Sequence, residues 1–379
     1  MANSIRTLAR IAPGDGIKIM TFNVLSQSLA RRERYLSSGR YLRWKQRSAD
    51  FHIEVRDYNP DIVTLQEVDH EKLHFWKKLF SDYGYYMIFR YHRAKKHGLA
   101  ICYKKDKFSA SGSDTIDLDS YNLAGIERQF DTGCLALFVR LTCVQTGMTI
   151  LLGTCHLYWL PEASYERCRQ ILCMLNEVQS RQIPNELVLL AGDFNTEYFD
   201  PPYLLATAPH KHLPNEAAIM LKDSVNFALQ DSSQPPAAPT VGQVPQDSGE
   251  ENCGTGEQDK ANQGFAKSRI TDPDQALQNI LDRFNSQRLI ATSLYSAYAR
   301  IPGAEAAPCG EPLFTNWTQD FRGTLDYIFC VHALSTPCPI IPVNLLTLPL
   351  KGQMGVGLPQ RYISSSDHLS LLAEFSLIV

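Results

Sequence analysis

"ELVLLAGDFNTE", residues 186 to 197, runs five consecutive apolar residues into a Gly-Asp-Phe-Asn tetrad. An uninterrupted apolar run of that length reads as a strand buried on both faces. It places the carboxylate of Asp193 and the amide of Asn195 where that strand runs out. The pattern recurs. "IKIMTFNVLS" (17 to 26) carries Asn23 towards its end, "DIVTLQEV" (61 to 68) carries Glu67, and "MTILLGTCHLYW" (148 to 159) carries His156. In "TLDYIFC" (324 to 330) and "DHLSLLAEFSLIV" (367 to 379) the polar residues, Asp326 and the Asp367-His368 pair, stand at the beginning instead. Strands that alternate in direction would bring all of these ends to one rim.

A rim so built is rich in hard oxygen donors, with two imidazoles beside them. Such a set suits Mg²⁺, which prefers carboxylate, amide and water oxygens, and lacks the Cys or multiple-His spacing of a zinc site. Taken singly, each residue has a plainer explanation. An Asn or Asp at a strand end is usually a turn or cap residue, and a lone His is usually structural. Found together, they weaken that explanation. Walker A, GxSxG and CxxC patterns are absent from the chain, and none of its ten cysteines sits in an evident motif with His and Asn.

Composition bounds the rest. A chain of 379 residues, 44% hydrophobic, is long enough to bury a large core. Its formal charge of −3 advertises no overall attraction to nucleic acid, so any phosphate must be drawn by local clusters such as "RYHRAKKHGLAICYKKDK" (90 to 107) and "RRERYLSSGRYLRWKQR" (31 to 47). Cysteines scattered through apolar stretches point to reduced thiols and an intracellular protein, cytoplasmic or nuclear. The apolar stretch 333 to 350 contains four prolines and is excluded as a membrane span. No membrane association is expected.

Between the strands the periodicity predicts a helix over 41 to 58, with Leu42, Ala49 and Ile53 inward, and a second opened by Pro161, with Tyr165, Cys168, Leu172 and Leu175 along one stripe. "QTG" between two apolar runs marks a hairpin. Residues 1 to 16 read as an N-terminal extension and 17 to 379 as a single catalytic domain. Residues 231 to 275, rich in Pro, Gly, Ser, Gln and acids, read as a disordered insertion within it. Hairpin-like strands with few helices imply stacked sheets covered by helices.

"TFNVLSQ", "LQEV", "TCHLYW", "GDFN", "LDYIF" and "SDHLSL", in this order, resemble the exonuclease-endonuclease-phosphatase superfamily of Mg²⁺-dependent phosphodiesterases and phosphomonoesterases. "FTNWTQDFRGTLDYIF" (314 to 329), and His156 followed five residues later by Pro161, resemble the branch of nocturnin, angel and the carbon-catabolite-repression deadenylases. "LSQSLARRERYLSSGRYLRWKQR" (25 to 47) is similar to the fungal RNA exonucleases that finish the 3′ end of 5.8S ribosomal RNA. The resemblance implies an α/β fold, a four-layer α/β sandwich with two mixed β-sheets flanked by helices. It also implies a Mg²⁺-dependent (or Mn²⁺-dependent) 3′-to-5′ exoribonuclease that trims single-stranded RNA ends. Without the leucine-rich repeats that dock some deadenylases, a free-standing monomer is expected.

The same resemblance distributes roles. Glu67, Asn23 and Asp367 would hold the metal. Asp193 and Asn195 would position or deprotonate water, His368 paired with Asp326 and His156 would face the phosphate, and Pro161 and Phe321 would sandwich a terminal base. Lys95 and Lys96 are expected at the RNA backbone. His97, in "KKHGLA", departs from the deadenylases, which carry an acid there, so other 3′ ends stay open. Three further readings remain: a phosphatase or cyclic phosphodiesterase, a silent RNA-binding scaffold, and an interaction hub acting through the insertion.

Overall fold

The computed structural model describes residues 6 to 208, 212 to 227 and 270 to 378. In chain order its elements begin β1 (Leu8–Arg10), β2 (Ile17–Asn23), α1 (Trp44–Tyr58), β3 (Ile62–Asp69), α2 (Leu73–Asp82), β4 (Tyr85–Tyr91), β5 (His97–Lys104) and β6 (Phe108–Asp117). Next come β7 (Leu135–Cys143), β8 (Thr149–Cys155), α3 (Ser164–Arg181), β9 (Leu187–Asp193), α4 (Pro201–Thr207), α5 (Asn215–Phe227) and α6 (Pro273–Asn285). The last are β10 (Leu289–Ser293), β11 (Asn316–Trp317), β12 (Arg322–Gly323), β13 (Asp326–Ala333), β14 (Ile340–Leu346) and β15 (Leu371–Leu377).

Thirteen of these strands form two sheets, ordered β1-β14-β15-β2-β3-β5-β4 and β10-β13-β9-β8-β7-β6. Both are mixed: β2 and β3 run parallel, as do β8 and β9, among antiparallel neighbours. Period-two alternation then makes the layers. Ile19, Ile62, Leu99 and Ile101 of the first sheet meet Leu137, Val139, Leu152, Leu189 and Ile328 of the second in one cluster between the sheets. Their strand neighbours point away. Met20, Val63, Ala100 and Cys102 pack against Phe51 and Val55 of α1 and Trp76, Leu79 and Phe80 of α2. Phe138, Val188, Leu190 and Phe329 pack beneath α3 to α6. The order is helix, sheet, sheet, helix, the four-layer sandwich expected.

Several boundaries moved, each for a local reason. Helix α1 turns Arg47, Phe51 and Val55 to the core and leaves Ala49 exposed, because Arg47 is itself fully buried and reaches backbone carbonyls. Helix α3 begins at Ser164, not at Pro161; the guanidinium of Arg167 takes the carbonyls of Tyr158, Leu160 and Pro161, holding that segment as a turn. The expected N-terminal extension does not stand apart from the domain: β1 pairs with β14, and Arg6 is buried against Ser370. The expected insertion ends before 275, since Ile270 is buried and Asp272 caps α6 by accepting from the Gln275 N–H at 3.0 Å. Residues 231 to 269 of that segment lie outside the described residues. Strand β6 gave no apolar run to read, being an edge strand with one partner, β7.

Candidate active site

Strand direction settles where the polar ends go. Asn23 and Glu67 lie at the C-terminal ends of the parallel pair β2 and β3, and Asp193 ends β9. His156 follows β8 and bridges to Asp193. Because β13 runs antiparallel to β9, its first residue, Asp326, lies directly opposite Asp193. His368 precedes β15, which is antiparallel to β2. One rim thus receives ends that are early in some strands and late in others.

Alternation delivers most of these side chains inward. Asn23 continues the face of Ile19 and Thr21, Asp193 that of Leu189 and Ala191, and Asp326 that of Ile328. Glu67 breaks the rule. Val63 and Leu65 face the helices, so regular alternation would send Glu67 there too. Between Leu65 and Val68 the β3–β5 register shifts, and Glu67 takes a left-handed φ of 59°. This bulge re-aims the carboxylate into the gap between the sheets. Such a conformation is uncommon outside glycine, and its occurrence at an acid of this kind marks a site.

Within the pocket the groups are close. The Asn23 amino group donates to Glu67 Oε1 at 3.0 Å and to Asp193 Oδ2 at 2.9 Å. Its Oδ1 accepts from the Leu25 N–H at 3.1 Å. In this geometry Asn23 bridges two carboxylates, and the oxygen expected to support a cation is turned to the backbone. Glu67 Oε2 accepts from the Ser26 N–H at 2.9 Å. His156 Nε2 lies 3.6 Å from Asp193 Oδ2 and 4.0 Å from Glu67 Oε1. His368 Nε2 is also 3.6 Å from Asp193 Oδ2, while its Nδ1 is 2.8 Å from Asp326 Oδ2. Asn195 holds Asp193 through its backbone, N–H to Oδ1 at 2.9 Å; its side chain donates to the Leu157 carbonyl at 2.8 Å and anchors the segment after His156. Asn195 has φ 47°, a left-handed value that Asn tolerates well. Gly192 is needed for the close approach of β8, since a Cβ there would lie 2.4 Å from the Cys155 carbonyl oxygen.

Burial sets the protonation states. It pushes the Asp193 carboxyl up to about 7; the His368 charge pulls against this and Asp326 adds to it. Burial and then the Asp367 charge raise Glu67 above the usual carboxylate range, opposed by its hydrogen bonds from Asn23 and Ser26. For His368, burial disfavours the cation, yet Asp326 and Asp193 outweigh it and hold the imidazole well above its ordinary range. His156 goes the other way, driven well below that range by burial and then by Lys95, His97 and His368. The site has one charged and one neutral imidazole facing the same carboxylate.

Residues that gave no signal in the sequence build the surround. The Tyr35 hydroxyl donates to Asp367 Oδ2 at 2.8 Å, and Thr315 donates to Asp326 Oδ2 at 2.6 Å. Arg47 binds the carbonyls of Val24, Leu25 and Ser365, lashing the chain after Asn23 to the chain before Asp367. Lys95 and His97 adjoin the pocket: His97 lies 6.3 Å from His156 between ring centroids, and burial followed by the Lys95 charge lowers its pKa to about 3. Lys96 is exposed and meets none of the carboxylates. Phe321 is 37% exposed, and Pro161 is exposed in its turn.

These residues fit a hard divalent cation. Four carboxylates, Glu67, Asp193, Asp326 and Asp367, are buried at one rim, and Asp326 Oδ1 has no hydrogen-bond partner among the described residues. Asp193 and Asp326 bring carboxylate oxygens within 4.8 Å of one another. The neighbouring thiol, Cys155, is fully buried and its pKa is raised well above the ordinary value by burial, which removes the soft ligand from the set.

A model of the Endonuclease/Exonuclease/phosphatase family matches residues 20 to 368. The chain is 32% identical to the probable RNA exonuclease NGL3 of Saccharomyces cerevisiae, over 95% of this chain and 76% of that protein. It is 30% identical to the RNA exonuclease NGL2 of the same yeast, over 96% of this chain and 79% of that one. Among solved structures, ANGEL2, a 2′,3′-cyclic phosphatase, superposes with a TM-score of 0.67 at 21% identity, covering 98% of both chains. That likeness is one of fold. No helix among the described residues is long and apolar enough to cross a membrane.

Proposed function

Since the chain belongs to the Endonuclease/Exonuclease/phosphatase family, we propose that it is a Mg²⁺-dependent 3′-to-5′ exoribonuclease that hydrolyses the terminal phosphodiester of single-stranded RNA. One observation carries the chemistry: two buried carboxylates, Glu67 and Asp193, are joined by a single amide and flanked by a charged and a neutral imidazole. The RNA substrate follows from relatives at 30% identity or more that bear the name RNA exonuclease.

Glu67, with Asp367 beside it, would hold the cation, which when bound offsets charge on the nonbridging oxygens of the scissile phosphate. Asp193, its pKa raised by burial to about 7, accepts a proton from the attacking water, and the Asn195 N–H keeps its other oxygen fixed. His368, charged and oriented by Asp326, donates to the phosphate. His156, neutral, serves the same group from the opposite side. The bond from phosphorus to the penultimate 3′-oxygen breaks, that oxygen takes a proton, and a nucleoside 5′-monophosphate leaves. Phe321 offers a stacking surface for the terminal base, and stacking of this kind contributes on the order of 1–3 kcal/mol. Lys95 lies where it can meet the backbone.

The test is digestion of labelled RNA with Mg²⁺ or EDTA, by wild type and by Glu67→Ala. Stepwise shortening from the 3′ end is expected, abolished by chelation and reduced more than about a hundredfold by the substitution. Release of inorganic phosphate without shortening would replace this reading with a phosphatase.

A further inference from the structure

Between β9 and α4 lies an acid that none of these steps uses. Glu197 is half-buried, with its backbone N–H fixed by Asp200 Oδ2 at 2.9 Å. Among the described residues its carboxylate has no hydrogen-bond or ion-pair partner, and burial together with Asp200 pushes its pKa up to about 7. An acceptor left unmatched in a partly desolvated position is costly unless something else completes it.

Its surroundings indicate what that is. A Cβ built on Gly323 would lie 2.7 Å from Phe321 Cζ and 2.9 Å from Glu197 Cδ, so the exposed ring and the unmatched carboxyl meet over one glycine. Gly323 pairs with Asn316, and Asn316 bridges to His368, which ties this corner to the phosphate-facing imidazole. The ring is held in place: the Phe321 N–H donates to Thr318 Oγ1 at 3.0 Å, and the Thr318 N–H donates to the Phe321 carbonyl at 2.8 Å. The nearby guanidinium, Arg322, stacks on Trp317 at 4.5 Å, where its charge is used.

We propose that Glu197 reads the edge of the 3′-terminal base stacked on Phe321, accepting a hydrogen bond from an exocyclic amine. The inference rests on the exoribonuclease reading above and adds a base preference to it. Adenine, cytosine and guanine each present an amine to a carboxylate. Uracil presents one N–H between two carbonyl oxygens, which the carboxylate repels. Ends in A, C or G are therefore favoured over U by about tenfold, the factor one hydrogen bond to a charged group supplies.

The experiment uses four oligoribonucleotides that differ only in the last residue. Rates of its removal, as kcat/KM, are compared for wild type, Glu197→Gln and Glu197→Ala. The ratio among ends is read within each variant, so any loss of active protein cancels. A uridine disadvantage in wild type that collapses to within about threefold in both variants is expected. A wild type indifferent to uridine, or a spread that both variants keep, overturns the proposal while leaving the exoribonuclease reading intact. If wild type with Mg²⁺ shortens none of the four, the underlying reading fails instead.

Discussion

Asp326 shows how one side chain sets the state of another. Its Oδ2 accepts from Thr315 and lies 2.8 Å from His368 Nδ1, and its charge is the leading influence holding that imidazole protonated against burial. A raised imidazole pKa means that the cation persists to higher pH. In Asp326→Asn the leading charge is gone, burial is opposed by Asp193 and Asp367 without it, and the proton is lost at lower pH. The alkaline limb of the kcat/KM profile should move to lower pH, with a loss of about 10²–10⁴-fold at pH 8. An unchanged limb would show that His368 does not need its charge. Glu67 belongs to the same scale. Its identity was legible, but its direction was not, because the alternation of Val63 and Leu65 aims it at the helices and only the bulge turns it inward.

At the scale of elements, the rim depends on how loops are tied down. The chain from Val24 to Gln27 leaves β2 and must pass close to the segment before β15. Arg47, projecting from α1, makes this possible with hydrogen bonds to Val24 O, Leu25 O, Ser365 O and Gln27 Oε1. Burial lowers its pKa, and Asp367 and Asp69 counter that. Replacing it with Met would strand several buried carbonyls. We expect Arg47→Met to cost at least about 2 kcal/mol in urea unfolding and to reduce turnover, since Ser26 and Asp367 would lose their fixed positions. Unaltered stability would mean that the loop carries itself. The helical period of α1 was visible in the sequence, yet its inward face was misread, because a buried arginine looks like a solvent residue until its carbonyl partners are known.

For the whole molecule, two outcomes are expected. Glu311, fully buried and accepting from the Tyr203 hydroxyl at 2.9 Å, has its carboxyl pushed up from 4.5 to about 7 by burial. A carboxyl raised on folding favours the native state below its unfolded pKa, and that contribution is lost as pH rises through about 7. Glu311→Gln should therefore stabilise the protein by about 1–3 kcal/mol at pH 8 and change little at pH 5, measured by thermal unfolding. A benefit equal at both values would point to packing. Helices α5 and α6, which flank residues 231 to 269, both pack in the helix layer outside the second sheet. Exchanging that segment for a short Gly-Ser linker should leave turnover within about twofold; a larger loss would assign it a part in the reaction. At this scale the sequence by itself determined the central strands β2, β3, β8, β9, β13 and β15 and which polar residues stand at their ends, because apolar runs and strand breaks are local and leave a local record. Only the tertiary structure decided that Glu67 turns inward through a bulge, that Asn23 bridges two carboxylates, and that Tyr35, Arg47 and Thr315 join the site. Those outcomes depend on contacts between residues tens or hundreds of positions apart, and the geometry of such contacts is set by how the two sheets stack.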